Sequence, residues 1–185
     1  YGHPILRQKG VRIESVTAEI RTLIADLKET MYAAKGIGLA AQQVGKALQL
    51  AVVDVRGATD RPSTLHLDGQ PAEVPDFMPI VLINPRVTPV ADPAPGPEGC
   101  LSFPELYGEV SRPESVEVTA LNEKGKPFAF RCGGLLARAV QHEVDHLNGI
   151  LFIDRMNAAS KKEIKPELDA LQAATKEALK KKVVL

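Results

Sequence analysis

The spacing of hydrophobic residues predicts three helices. In residues 15–35 apolar side chains recur every three or four positions, and Gly36 is the expected stop. A second stretch of this kind covers residues 134–149. A third begins at Ala158 and is interrupted early by Pro166. We expect the first two helices to contribute to the core of the protein.

Four other segments have the composition and alternation of strands. Residues 48–55 and 79–87 are rich in Val, Ile and Leu and are bounded by turn-forming residues. Residues 115–122 alternate apolar and polar positions and lead through a turn into residues 127–132, which predicts a β-hairpin. Residues 56–78 exceed the usual length of a connection, so they form either a functional flap or a local hairpin.

Five prolines between Pro85 and Pro97 stiffen the approach to a short segment around Cys100. We interpret this proline-rich stretch as a linker.

Composition narrows the class of protein. The 185 residues are 44% hydrophobic and 25% charged, which is typical of one soluble globular domain. Basic and acidic residues balance at 23 each, so no overall field would attract nucleic acid, and we expect no specific DNA binding. No apolar run reaches the roughly 18 residues of a membrane span. Two cysteines favour a reducing compartment over a disulfide framework.

The second predicted helix carries the most informative motif of the sequence. His142 and His146 are four residues apart, about 40° around a helix, so both imidazoles can bind one metal ion. Around the helix axis, Glu143 lies roughly 60° from His146 on one flank and Asp145 lies roughly 60° from His142 on the other. Spacing alone does not show which of these two carboxylates acts in the site. In motifs of this type the glutamate acts as a general base. The alternative is a solvated or capped histidine pair, but the apolar stripe on the opposite face favours a cleft.

A catalytic metal site usually has three protein ligands, and Cys100 is the leading candidate for the third. No motif places His3 or His66 near the pair. A free cysteine is most often a small buried hydrophobic residue, and we prefer that interpretation for Cys132.

Three segments, residues 36–43 (GIGLAAQQ), 98–102 (EGCLS) and 141–149 (QHEVDHLNG), resemble the signature motifs of the peptide deformylases and follow the family's order. The resemblance covers most of the chain, from His3 to Asp154. It implies an α+β fold in which antiparallel β-sheets wrap around a central metal-binding helix, with N-terminal and C-terminal helices. Residues 1–185 would form a single catalytic domain, with residues 157–185 as a basic helical extension.

The resemblance also implies a set of site residues. Cys100, His142 and His146 would hold one divalent metal ion per chain, Glu143 would be the catalytic acid and base, and an oxyanion would be stabilised by two donors, the side chain of Gln43 and the backbone amide of Leu101. The family favours iron(II), and zinc, nickel or cobalt can substitute, because a thiolate with two imidazoles suits borderline-soft metals. The sequence itself does not rank these metals.

The implied reaction is hydrolysis of the formyl group from N-formylmethionyl nascent peptides, with release of formate. Backbone at Ile37, Gly38 and Gly99 would bind the peptide as an added strand. The methionine pocket would be lined by three residues of the metal helix: Leu135, Arg138 and Ala139. Arg138 is unexpected in an apolar pocket, and we place it at the rim.

Further expectations concern the surroundings of the site. Glu98 and Arg112 would pair and brace the cysteine loop, and Tyr107 would border the substrate entrance. The C-terminal lysines allow contact with the ribosome, but their acidic neighbours favour a solvated face. The expected location is the bacterial cytoplasm, or a mitochondrion or plastid if a transit peptide was removed before Tyr1.

Two alternative functions remain open at this stage. One is an HExxH peptidase that cleaves peptide bonds, which would use a downstream acid in place of Cys100 as the third ligand. The other is a non-catalytic relative that binds peptide or metal.

Overall fold

The computed structural model describes residues 1–182, which form five α-helices, three short 3-10 helices and nine strands. The α-helices are α1 (Ala18–Ala33), α2 (Gly134–Leu147), α3 (Phe152–Arg155), α4 (Ala158–Glu163) and α5 (Lys165–Lys182). The strands are β1 (Gly38–Ala40), β2 (Leu50–Val53), β3 (Ser63–Leu67), β4 (Gln70–Pro71), β5 (Ile80–Pro89), β6 (Pro93–Cys100), β7 (Phe103–Pro113), β8 (Ser115–Leu121) and β9 (Pro127–Gly133). Within this part of the chain, no helix has both the length and the hydropathy that crossing a membrane requires.

Seven strands form one antiparallel sheet in the order β1-β2-β5-β8-β9-β3-β4, and β6 pairs with β7 in a separate hairpin. The centre of the large sheet is covered on both faces. In β2, Val52 packs with the α1 side of the core, whereas its neighbour Val53 packs with the α2 side. Val81 and Leu82 of β5 alternate in the same way. Successive side chains of a strand point to opposite faces of the sheet. These continuous apolar runs therefore pack against α1 on one face and against α2 on the other.

Helix α1 begins where Thr17 caps it by accepting a hydrogen bond from the amide of Ile20 at 3.4 Å. It ends at Ala33, two residues earlier than predicted, and Gly36 is not its stop. Lys35 takes the left-handed conformation (φ 54°), and the Gly36 amide returns to the Met31 carbonyl at 2.9 Å. A Cβ at position 36 would lie 2.8 Å from Cδ1 at the end of the Leu101 side chain.

The predicted helix at 134–149 and the hairpin at 115–132 are confirmed as α2 and as β8 with β9. Of the two alternatives for residues 56–78, the hairpin is correct, because β3 and β4 pair there and β3 joins β9 at the far side of the sheet. Pro166 accompanies the separation of α4 from α5, and residues 183–185 of the predicted C-terminal extension lie outside the described residues.

The prediction of a linker in the proline-rich stretch is wrong, because Pro85 and Pro89 lie in β5 and residues 93–100 form β6. Pro93, Pro95 and Pro97 occupy alternating positions, so the N–H groups that they lack would all point to the same edge of a strand. The other edge keeps its N–H groups and can still pair. Its partner β7, eleven residues long, was not predicted at all. This hairpin matters for function because Cys100 is the last residue of β6.

Asp54 follows β2 and connects it to α1 and to the segment before β1. Its carboxylate accepts a hydrogen bond from Tyr32 Oη at 2.7 Å and ion-pairs with Arg56, while its backbone amide donates to the Ile37 carbonyl at 2.9 Å. Burial raises the pKa of Asp54, but hydrogen bonds from Arg56 and Tyr32 outweigh burial and hold the pKa below its usual value.

We predict that Asp54→Asn lowers the free energy of unfolding at pH 7. A depressed pKa in the folded state means that the ionised carboxylate stabilises the fold above the unfolded-state pKa of about 3.9, and that this stabilisation is lost as the pH falls through the folded-state pKa. Urea unfolding of both proteins from pH 7 to pH 3 should therefore show curves that converge at low pH. Asp26→Asn, an exposed change on α1, is the control. A stability difference that stays constant with pH would contradict the prediction.

Candidate metal centre and active site

Helix α2 presents two histidines on the face opposite its apolar stripe. Leu136, Val140 and Leu147 are fully buried, which fixes the rotation of the helix about its axis. His142 and His146 consequently lie side by side on the other face, with ring centroids 5.0 Å apart. Both rings are almost completely buried, at 9% and 1% exposure.

Cys100 comes to these histidines from the end of β6. Its Sγ lies 3.2 Å from His146 Nε2, and the three donor atoms of Cys100, His142 and His146 all lie within 4.8 Å of one another. Ligand atoms around a tetrahedral zinc ion are about 3.3–3.6 Å apart, so a small adjustment would seat a metal among them. The residues present therefore fit a divalent ion with one sulfur and two nitrogen ligands.

Glu98 orients the ring of His142. Its Oε2 lies 3.1 Å from His142 Nδ1, which leaves Nε2 of that ring for the metal. The same carboxylate accepts from Arg112 Nε at 2.5 Å, Arg112 Nη2 at 3.0 Å and Arg138 Nη1 at 2.9 Å. Burial raises the pKa of Glu98, but hydrogen bonds from His142 and Arg112 outweigh it and lower the pKa to about 2.

The predicted pairing of Glu98 with Arg112 is confirmed, and it belongs to a larger buried network. Arg112 Nη1 also donates to Asp145 Oδ2 at 2.7 Å, and Arg155 Nη2 donates to Asp145 Oδ1 at 2.7 Å. Asp145 thus holds Arg112 from the flank of α2 that faces away from Glu143. Sequence analysis paired Arg112 with Glu98 alone and gave no signal for the contacts of Asp145 with Arg112 of β7 and Arg155 of α3.

Burial lowers the pKa of both histidines, with opposite outcomes. In His142, hydrogen bonds with Cys100 and Glu98 outweigh burial and raise the pKa to about 10. In His146, burial and the charge of His142 keep the pKa well below its usual value. The anionic groups here therefore favour a positive charge among the donor atoms.

Glu143 lies beside the donor atoms and is only 4% exposed. Burial raises the pKa of its carboxyl to about 7. Among the described residues, its Oε2 is buried without a hydrogen-bond partner. Its Oε1 packs against Gly38 of β1, where a Cβ would lie 2.2 Å from that oxygen. Glycine at 38 is therefore required by the close approach of the carboxylate, a reason that the sequence did not reveal.

Gln43 reaches the same place from the turn after β1. Its Oε1 accepts a hydrogen bond from the Ala40 amide at 2.9 Å, so its Nε2 points toward Ser102 Oγ at 3.2 Å and Cys100 Sγ at 3.6 Å. Leu101, directly after Cys100, is 38% exposed. The structure thus brings the two predicted oxyanion donors to the segment that carries the cysteine.

A cleft of about 500 Å³ opens in front of these groups. All six residues predicted to bind substrate line it: Ile37, Gly38, Gly99, Leu135, Arg138 and Ala139. Tyr107 also lines it and is 68% exposed. Arg138 differs from the rim position expected for it, because its side chain is only 12% exposed. Sequence reasoning missed further lining residues that no motif marks, among them Lys35, Arg61, Phe103 and Glu105.

His3 and His66 lie outside this constellation. His3 Nδ1 accepts the Ile5 amide and caps the short 3-10 turn at residues 4–7, and His66 is part of β3. Cys132 is fully buried in the core and burial raises the pKa of its thiol to about 12, as expected of a small hydrophobic residue.

The site has the features of a metal-dependent hydrolase. Two histidines of an HExxH helix lie with a cysteine at the edge of a cleft, and a buried glutamate lies next to them. Comparison with known families agrees with this class, since the sequence model of the family "Polypeptide deformylase" matches residues 1–162. This chain belongs to the peptide deformylase family.

Relatives and solved structures extend the match. The peptide deformylase of Methylacidiphilum infernorum is 47% identical over 172 residues, covering 93% of this chain and 90% of the relative. That of Opitutus terrae is 43% identical over 182 residues, covering 97% and 94%. Peptide deformylase 1B of Arabidopsis thaliana, solved with an inhibitor, is 39% identical with a TM-score of 0.81, covering 96% and 91%. The predicted α+β fold is confirmed.

We predict that Arg112→Ala lowers retention of the metal. Glu98 would lose two hydrogen bonds while staying buried, so it would hold His142 less firmly. Removing one partner of a buried pair also costs about 3–5 kcal/mol of stability. Metal content after dialysis against a weak chelator measures the first effect, and urea unfolding measures the second. Arg12→Ala, whose side chain is 62% exposed, is the matched control. Metal content equal to that of the unaltered protein would refute the bracing role.

Proposed function

We propose that this protein hydrolyses the formyl group from N-formylmethionyl nascent peptides at a metal centre built from Cys100, His142 and His146. The observation that carries the proposal is the approach of Cys100 Sγ to His146 Nε2, 3.2 Å apart, beside the buried Glu143. A cysteine as third ligand favours a deformylase over an HExxH peptidase that uses a downstream acid. Membership in the peptide deformylase family supports the same reaction.

Iron(II) is the metal that we propose for the working enzyme, with zinc, nickel or cobalt as substitutes. One thiolate and two imidazoles suit borderline-soft divalent ions of this kind. When bound, the metal supplies a Lewis acid that polarises the formyl carbonyl and lowers the pKa of a coordinated water. The remaining steps belong to side chains of this chain.

Glu143 is the proposed acid and base. Its Oε2 is buried beside the metal ligands and has no hydrogen-bond partner among the described residues, so it can accept a proton from the attacking water. Contact with Gly38 keeps Oε1 in place on the other side. Glu143 then passes the proton to the nitrogen of the leaving amine, which completes hydrolysis and releases formate.

Gln43 and the backbone amide of Leu101 are the proposed oxyanion donors. The carbonyl oxygen of the formyl group becomes negative as water adds, and donors already in position stabilise that charge. Gln43 is held for this task because the Ala40 amide binds its Oε1 and turns its Nε2 toward Cys100.

The peptide is proposed to bind in extended form between two strands. β1 is the outer strand of the large sheet, so one edge of Gly38–Ala40 remains available for pairing. Gly99 of β6 lines the cleft on the other side, and Ile37 precedes β1. The first side chain would enter the cleft against Leu135, Arg138 and Ala139.

We also propose that the chain forms one catalytic domain and that it works in the bacterial cytoplasm, the compartment expected for an enzyme that acts on nascent chains. Contact of the C-terminal extension with the ribosome stays a prediction. Its lysines alternate with acidic residues and pair with them, as Lys165 does with Asp169 and Lys180 with Glu177. That pairing favours a solvated face.

We predict that the iron-loaded protein, purified without oxygen, releases formate from formyl-Met-Ala-Ser, and that Glu143→Ala and Cys100→Ser abolish the release. The first change removes the proposed base and the second removes a ligand. Cys132→Ser is the control for loss of a thiol remote from the cleft. No formate from folded, metal-loaded protein would overturn the proposed function.

Gln43→Leu should lower turnover about 100- to 1,000-fold, which is the usual cost of losing one oxyanion donor. This change leaves the proposed metal ligands in place, so metal content should not fall in step with activity. Gln70→Leu, an exposed glutamine on β4, is the control. Undiminished turnover in Gln43→Leu would remove Gln43 from the mechanism.

Gly38→Ala should lower turnover about 100-fold, because the added methyl group would displace the Glu143 carboxylate and a shift of about 1 Å at a catalytic group can cost that much. Gly57→Ala is the matched control, since nothing lies within 4 Å of a Cβ at that position. The two variants should keep the same metal content. Equal turnover in both would show that Glu143 does not depend on Gly38.

A further inference from the structure

Arg138 connects the metal-binding helix to both strands of the β6–β7 hairpin. It lies on α2 one turn before His142. Its Nη1 donates to Glu98 Oε1 at 2.9 Å and to the Val110 carbonyl of β7 at 2.8 Å. Its Nη2 donates to the Ala94 carbonyl of β6 at 3.0 Å. One guanidinium therefore holds α2 against the hairpin whose first strand, β6, ends at Cys100.

Arg138 donates directly to Glu98, and Glu98 in turn contacts the ring of His142, a proposed metal ligand. Glu98 Oε1 accepts from Arg138 and Arg112, while Oε2 accepts from Arg112 and His142. Two donors on Oε1 restrain rotation of the carboxylate, so Oε2 stays directed at the His142 ring. A carboxylate held in this way fixes both the tautomer and the orientation of the histidine.

Gly96 of β6 makes room for the guanidinium. A Cβ at this position would lie 2.8 Å from Arg138 Nη2 and 3.0 Å from Cζ. Those atoms are held by three hydrogen bonds and cannot move without breaking some of them. Gly96 is therefore required by close packing, and Arg138 and Gly96 form a coupled pair.

We propose that Arg138, seated on Gly96, is a positioning residue that keeps Glu98 directed at His142 and holds the Cys100 strand at its distance from α2. This inference rests on the proposed metal centre and goes beyond the role of lining the substrate pocket. Most of the guanidinium contacts lie at Ala94, Gly96 and Val110, whereas the cleft is lined further along β6, by Pro97 and Gly99.

The test uses cobalt(II) as the metal probe, because its absorption bands report ligand geometry without any turnover. Arg138→Met should weaken cobalt(II) binding about tenfold, which is the lower end of the usual cost of losing a hydrogen-bond partner behind a metal ligand. The same change should shift the ligand-field bands of the bound cobalt(II). Arg138→Lys keeps a charge near Glu98 and should recover part of the affinity. Arg86→Met, an exposed arginine on β5, should leave affinity and spectrum unchanged.

Gly96→Ala tests the same contact from its other side and keeps the arginine. It should weaken cobalt(II) binding in the otherwise unaltered protein but add little in an Arg138→Met background, since coupled residues are not additive. This arm also covers the case in which Arg138→Met does not fold.

Two results would overturn the inference. The first is cobalt(II) affinity and bands in Arg138→Met equal to those of the unaltered protein. The second is a change confined to KM for formyl peptides, which would make Arg138 a substrate contact. Formate release by the unaltered protein is measured in parallel. Its absence would count against the proposed function, while the cobalt(II) measurements would still decide the role of Arg138.

Discussion

The Glu98 carboxylate is buried where β6, β7 and α2 meet, and it accepts hydrogen bonds from Arg112, Arg138 and His142. A buried carboxylate without partners would cost several kcal/mol or take up a proton. With these partners its pKa falls to about 2, so it stays ionised. Helix α2, which carries the histidines, can therefore pack against β6, which carries Cys100, only in an arrangement that gives Glu98 its hydrogen bonds. The donor atoms for the metal meet as a consequence of that packing.

The carboxylates on the two flanks of α2 have different roles. On one flank Asp145 holds Arg112 and Arg155, and this network contributes rigidity. On the other flank Glu143 packs on Gly38 and keeps one oxygen without a partner, which is the state that proton transfer requires. Structural carboxylates here are fully paired, and the proposed catalytic one is not.

Periodicity was sufficient for α1, α2 and the β8–β9 hairpin, because these depend on local order. The residues of the proposed site were predicted from the resemblance of three motifs to those of the peptide deformylases, which spacing alone does not supply. What sequence reasoning missed depends on contacts between distant segments. The prolines of β6 indicate a linker unless its partner β7 is known, since only pairing makes that strand. Likewise Arg138 suggests a pocket rim until Gly96 and Glu98 are seen around its guanidinium. The need for glycine at 38 depends on a carboxylate 105 positions away in the chain.

The central claim is that one thiolate and two imidazoles bind a single metal ion at the junction organised by Glu98. X-ray absorption of the zinc-loaded protein tests this most directly, because it reports ligand type and bond length. We expect one sulfur at about 2.3 Å and two imidazole nitrogens at about 2.0–2.1 Å, with the sulfur lost in Cys100→Ser and retained in Cys132→Ser. A spectrum without sulfur in the unaltered protein, or with sulfur after Cys100 is replaced, would contradict the account.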